Sequence, residues 1–225
     1  MYFDQRVTRK MVCIISMIFF YLFNVNVYGN PEKSNTSKFI LKSPAIQDGK
    51  LVEQYKCEKK IDGKEKSIPL SWENVPTGTK SLAIVMYHFP HKDDHTEVNS
   101  YLLLWGIDPS VSEIPHGYAD KGDWYMGANK DGKVVSYTSP CSRGYGTHEY
   151  IITIFALSEK PVDLPKYSTV DVNYENFMRA IKNTEIIDQA TLTFLATSNQ
   201  AGERPAPPPR PGAKPENKGD RPQND

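Results

Sequence analysis

The chain has 225 residues, with 27 basic and 27 acidic side chains and no net charge. That length suits one sizeable domain with appendages, and the lack of a basic field argues against a nucleic-acid partner. Leaving out residues 1–29 removes three basic groups and one acidic group, so 24 and 26 remain and the rest of the chain carries a net charge of −2.

Residues 1–29 read as an export signal. Arg6, Arg9 and Lys10 form a basic start, residues 11–23 an apolar core, and Val27-Tyr28-Gly29 a stretch near a cleavage point. The apolar run is shorter than the ~20 residues of a membrane span. A membrane contact therefore enters only through the leader, if it stays uncleaved. Residues 30–37 are polar and read as a flexible start. A single domain is expected over residues 38–199. Residues 200–225 are expected to be a disordered tail, since the stretch from 201 holds seven of the 17 prolines and no aromatic.

Within the domain, residues 38–42 and 51–56 read as strands with Asp48-Gly49 as a turn between them. Residues 61–66 are charged and read as a loop. Leu70 and Trp72 mark a short strand, Pro76-Thr77-Gly78-Thr79 a turn, and residues 82–86 an unbroken apolar run. Five apolar residues are too few for a helix, so the run is expected as a buried strand, paired with the one before it. Residues 101–107 and 150–157 read as further strands, rich in apolar, aromatic and β-branched side chains. Asp131-Gly132 marks a turn. Past Pro165 the period changes: residues 174–182 and 185–196 show apolar side chains four apart and read as helices, with Asn173 and Thr184 as N-caps. The expected fold class is mainly β, two packed antiparallel sheets with C-terminal helices laid on them.

Several ordered motifs carry a resemblance. Ser43-Pro44-Ala45-Ile46, Tyr55-Lys56-Cys57, Ile68-Pro69-Leu70-Ser71-Trp72 and Val75-Pro76-Thr77-Gly78-Thr79-Lys80-Ser81-Leu82-Ala83 resemble the phosphatidylethanolamine-binding protein family, in its bacterial Raf-kinase-inhibitor-like branch. The resemblance implies a β-sandwich with a small anion-binding pocket at one end. Three elements build that pocket in the family: an Asp-Pro-Asp-x-Pro loop, a histidine opening the next strand, and a Gly-Pro loop followed by His-Arg-Tyr. In this chain Tyr87-His88-Phe89-Pro90-His91 stands where the first belongs, Tyr101 takes the histidine position of the second, and Ser139-Pro140-Cys141 with His148-Glu149-Tyr150 stands for the third. The ligand-binding residues so implied are His88, Tyr101, Pro140, His148 and Tyr150.

Other chemistry has weaker signals. Three of the five histidines, His88, His91 and His95, sit close in sequence beside Asp93 and offer metal ligands at short spacing, without a strict motif. No nucleophile elbow and no phosphate-binding glycine loop appears. Cys57 and Cys141 would form one disulfide in an exported chain, or remain two separate thiols. The reading is a non-catalytic binding or modulatory protein, periplasmic or secreted from a bacterium, without a cofactor. Its partner would be a small anionic or phospholipid head-group ligand, or a protein. The rival readings are a metal-binding protein or enzyme using the loop from His88 to His95, and a protease-inhibitor-like interaction module.

Overall fold

A computed structural model describes residues 37–56, 64–91, 94–141 and 146–198. The expected leader, the flexible start up to residue 36, residue 199 and the tail over residues 200–225 lie outside the described residues, as do Cys57 and Asp93. Everything below belongs to the unit from Lys38 onward.

Among the described residues ten strands form two sheets. The smaller holds β1 (Ile40–Lys42), β4 (Leu70–Glu73) and β7 (Glu113–Ile114), in the order β1-β4-β7. The larger holds β2 (Ile46–Gln47), β3 (Lys50–Leu51), β5 (Ser81–His88), β6 (Asn99–Ile107), β8 (Tyr125–Met126), β9 (Gly146–Leu157) and β10 (Ile186–Ser198), in the order β2-β3-β10-β9-β5-β6-β8. All pairs are antiparallel except β3 and β10, which meet in parallel at Leu195 and Lys50. Asp48 and Gly49 both hold a positive φ. That is the backbone of a tight hairpin turn, and it joins β2 to β3.

β5 shows why the larger sheet is central. Its even residues Leu82, Ile84 and Met86 face the smaller sheet and pack with Leu41, Leu70 and Trp72. Its odd residues Ala83 and Val85 face away and pack with Phe177, Ala180 and Ile181. Those last three are the buried side of the one α-helix among the described residues, α1 (Tyr174–Lys182). A strand covered on both faces needs apolar side chains at every position, which is what the unbroken run supplies. Each large apolar side chain so buried contributes roughly 1.5–3 kcal/mol. The unit from Lys38 onward is thus built in three layers: small sheet, large sheet, helix.

Four sequence expectations are corrected. Residues 185–196 are not a second helix but most of β10, paired with β9 from Ile186 to Ser198. Side chains four apart also share one face of a strand, and Ala190, Phe194 and Ala196 are its buried row. The β-branched Ile186, Ile187, Thr191, Thr193 and Thr197 favour the extended form. Thr184 accordingly caps no helix N-terminus; its hydroxyl donates to the Ala180 carbonyl at the end of α1 (3.0 Å). Asn173 does cap α1, its side-chain oxygen accepting from the Asn176 N–H (2.9 Å). The third correction concerns β4 and β5, which are not partners: β4 pairs with β1 and β7, and faces β5 across the core. Finally, the strand expected over residues 51–56 ends at Leu51, and Glu53–Tyr55 forms a 3₁₀ turn.

Candidate functional site

The site is set by strand register. β5 and β9 pair in an unbroken ladder from Ser81↔Leu157 to Tyr87↔Ile151. One step further brings His88 beside Tyr150. β9 and β10 pair Tyr150 with Phe194. His88, Tyr150 and Phe194 therefore form one rung across three strands, and their rings stack in sequence, with centroids 5.0 and 5.4 Å apart.

β6 adds Tyr101 by an irregularity. Met86 pairs with Leu102, but Tyr87 pairs with Ser100, so Tyr101 is an extra residue in the ladder. Such a bulge re-aims a side chain. Tyr101 joins Leu102 and Leu104 on the core side, and its ring meets Tyr150 edge-on at 5.2 Å. His148, two residues before Tyr150 on the same strand, meets His88 edge-on at 5.4 Å. Four of the five implied ligand residues thus form one connected group of rings. Pro140 is buried in the loop before β9, and no ring contact among the described residues ties it to the group.

Next to these rings lies a cavity of about 480 Å³. His88 and His148 line it, with Thr147 and Glu149 on the same strand as His148. Phe89, Pro90 and His95 come from the segment after β5, and Leu195 from β10. Tyr101 and Tyr150 do not line it; they are 1% and 0% exposed and pack behind His88. The family-implied tyrosines are thus supports of the histidine wall. Leu195, Thr147 and the stack of Phe89 on His95 (4.0 Å) were not legible as site residues. The period-two pattern of β10 was the available signal for Leu195.

The two imidazoles differ. His88 is 5% exposed, and its Nδ1 lies 2.9 Å from the Glu149 carbonyl oxygen. A carbonyl only accepts, so Nδ1 carries the hydrogen. His148 has a buried Nε2 with no hydrogen-bond partner among the described residues, and the Ser139 hydroxyl is in the same condition. A buried polar atom left unpaired costs about 1–3 kcal/mol, and marks a place where a partner would be welcome. The Ser139 N–H itself is held by the Glu65 carboxylate.

Among the described residues, the histidines of the loop from His88 to His95 do not converge on one point. His88 is turned to the Glu149 carbonyl, His91 lies 3.7 Å from the Glu97 carboxylate, and His95 stacks on Phe89. Among the described residues no group of three His, Cys, Asp or Glu side chains is placed to hold a metal.

His88 titrates below the ordinary imidazole value. Burial is the largest cause; the carbonyl bond opposes it, and the charges of His148 and Lys130 add to it. As pH falls through about 6.5 the unfolded chain takes up a proton on this side chain, while the folded chain stays neutral to lower pH. Stability from this residue is therefore lost on acidification. The stability gap between wild type and His88→Gln, measured by urea unfolding, is expected to narrow between about pH 7.5 and pH 5.5. A gap that widens over that range contradicts a neutral buried His88.

Comparison with known proteins agrees with this architecture. The profile of the family described as phosphatidylethanolamine-binding protein matches residues 42–197. A UPF0098 protein of Aquifex aeolicus is 33% identical over 115 residues, covering 46% of this chain and 61% of the relative. The match thus spans about three fifths of that relative's length. A UPF0098 protein of Methanothermobacter thermautotrophicus is 30% identical over 121 residues, covering 52% of this chain and 75% of the relative. The crystal structure of a phosphatidylethanolamine-binding protein homologue, CT736 of Chlamydia trachomatis, superposes with a TM-score of 0.56 at 24% identity, over 70% of this chain and 95% of that one. Escherichia coli YbcL does so with a TM-score of 0.56 at 20% identity, over 72% and 99%. With a family profile matched over more than half its length and that fold around the histidine cavity, the chain belongs to the phosphatidylethanolamine-binding protein family.

Proposed function

We propose that the protein is an exported, non-catalytic binding protein whose cavity between His88 and His148 takes a small oxyanion-bearing head group. The observation that carries this reading is the buried Nε2 of His148, without a hydrogen-bond partner among the described residues, in a residue that lines a cavity of about 480 Å³. An imidazole N–H donates well to a phosphate or carboxylate oxygen, and a shift of the ring would bring it to one. Glu149, exposed on the same wall, favours a ligand that also carries an ammonium group. A zwitterion such as phosphoethanolamine satisfies both charges.

Two features support a binding role over catalysis. His88 spends its Nδ1 on a backbone carbonyl, and no serine or cysteine is hydrogen-bonded to either histidine among the described residues. A nucleophile–base pair needs such a bond. Export rests on the composition of residues 1–29.

Calorimetric titration with phosphoethanolamine tests the ligand reading. Saturable heat is expected from wild type, and at least about a tenfold weaker affinity from His148→Ala, equivalent to ~1.4 kcal/mol. No heat from wild type, or equal affinity in the variant, removes the claim.

Export also implies a bridge between Cys57 and Cys141. Thiol alkylation of the denatured, unreduced protein is expected to leave both residues unlabelled; labelling of both before reduction rejects the bridge.

A further inference from the structure

A second hollow, of about 380 Å³, lies where the start of β6, the turn after β8 and the N-terminus of α1 meet. Ser100 and Tyr101 are neighbours on β6, yet the bulge sends Tyr101 into the core behind His88 and leaves Ser100 opposite Tyr87, beside this second hollow. His95 lines both hollows, so the two adjoin.

The hollow is furnished with donors. Asn129 is 6% exposed and Ser100 is 8% exposed, and both line it. The Asn129 side-chain oxygen accepts from the Lys133 and Val134 N–H groups (3.1 and 3.2 Å). Its backbone bonds Val134 and Gly132 as well (2.7 and 2.8 Å). The two side-chain bonds fix the amide and the two backbone bonds fix the turn that carries it. Neither the Asn129 amide nitrogen nor the Ser100 hydroxyl has a hydrogen-bond partner among the described residues.

Two further groups add positive potential. Lys130 lines the hollow and makes no ion pair among the described residues. Its charge reaches far enough to disfavour protonation of His88. The α1 cap is occupied only in part: Asn173 takes the Asn176 and Phe177 N–H groups. The first two N–H groups of the helix, on Tyr174 and Glu175, have no partner among the described residues, and both residues line the hollow. A helix N-terminus favours an anion. Here two nine-tenths-buried donors and an ammonium supplement it.

We propose that this hollow is a second binding site, for a small phosphate-type oxyanion, beside the histidine cavity and sharing only His95 with it. Hydroxyl, amide, ammonium and helix N–H donors approach from three elements. That arrangement suits a tetrahedral group with three free oxygens better than a planar carboxylate with two. Glu175, exposed at the mouth, opposes the anion and sets a limit on its affinity. Free phosphate and a phosphate monoester share the chemistry.

The test is site-resolved. The full ¹⁵N-labelled chain is titrated with sodium phosphate at fixed ionic strength, following the Asn129 side-chain amide and the Tyr174 and Glu175 backbone amides. Saturable shifts at these groups are expected. Lys130→Gln is expected to weaken the fitted Kd about tenfold, Glu175→Gln to tighten it, and His148→Ala to leave it unchanged. Parallel titrations with glycerol phosphate distinguish a monoester, if it binds tighter, from the free ion, if it does not. Shifts confined to the His88 and His148 region, no saturation, or a Kd unmoved by Lys130→Gln overturns the proposal. Failure here leaves phosphoethanolamine binding at His148 to be judged by its own calorimetry.

Discussion

The rung of His88, Tyr150 and Phe194 is the constraint on which the candidate site depends. It exists because β5, β9 and β10 pair in a register that sets these three side chains level on one face. Slip any of the three strands by one residue and the alternation of side chains would send a ring to the other face. The long ladder between β9 and β10 makes such a slip costly, because it would turn the whole buried row of β10 outward with it. The stacked rings then hold His88 against a backbone carbonyl, so its orientation is decided by packing and one bond together.

That rigidity explains the division of labour among the implied residues. Tyr101 and Tyr150 are wholly enclosed and present no surface to a ligand. Their service is to back His88, while His148, one turn of the pleat earlier on β9, stands at the cavity with its ring half-buried. The departures of this chain from the family motif fit that picture. The segment that stands for the aspartate loop supplies His88, a neutral ring that stacks on Tyr150. Tyr101, at the histidine position of the second element, fills the space behind it. The cavity wall thus moves toward imidazole and aromatic chemistry without losing its place in the fold.

Much of the fold was legible because residues 82–86 of β5 are apolar without a break and because Asp48-Gly49 and Gly78 mark turns that need positive φ. The helix α1 was legible from its capping asparagine and its apolar stripe. β10 was not, because Ile186, Ala190 and Phe194 lie at a spacing that satisfies a helix face and a strand face equally. Only its β-branched content spoke for a strand, and only pairing with β9 decided it. The site was half legible for the same reason. His88, His148 and the two tyrosines could be placed by motif. Leu195 and Thr147 could not, since their position depends on β10 being extended. Tyr101 faces the core through a bulge that no periodicity in the sequence announces. Ser100, Asn129 and Lys130 are brought together by long-range contacts alone.

The central claim is that His148 and the stacked His88 form the wall of a receptor cavity for an oxyanion. A crystal structure grown with phosphoethanolamine tests it most directly. The account requires the phosphate group beside the two imidazoles, with a His148 nitrogen donating to one of its oxygens at hydrogen-bond distance. A cavity filled by the protein's own side chains, or a ligand bound elsewhere while this cavity stands empty, would contradict it.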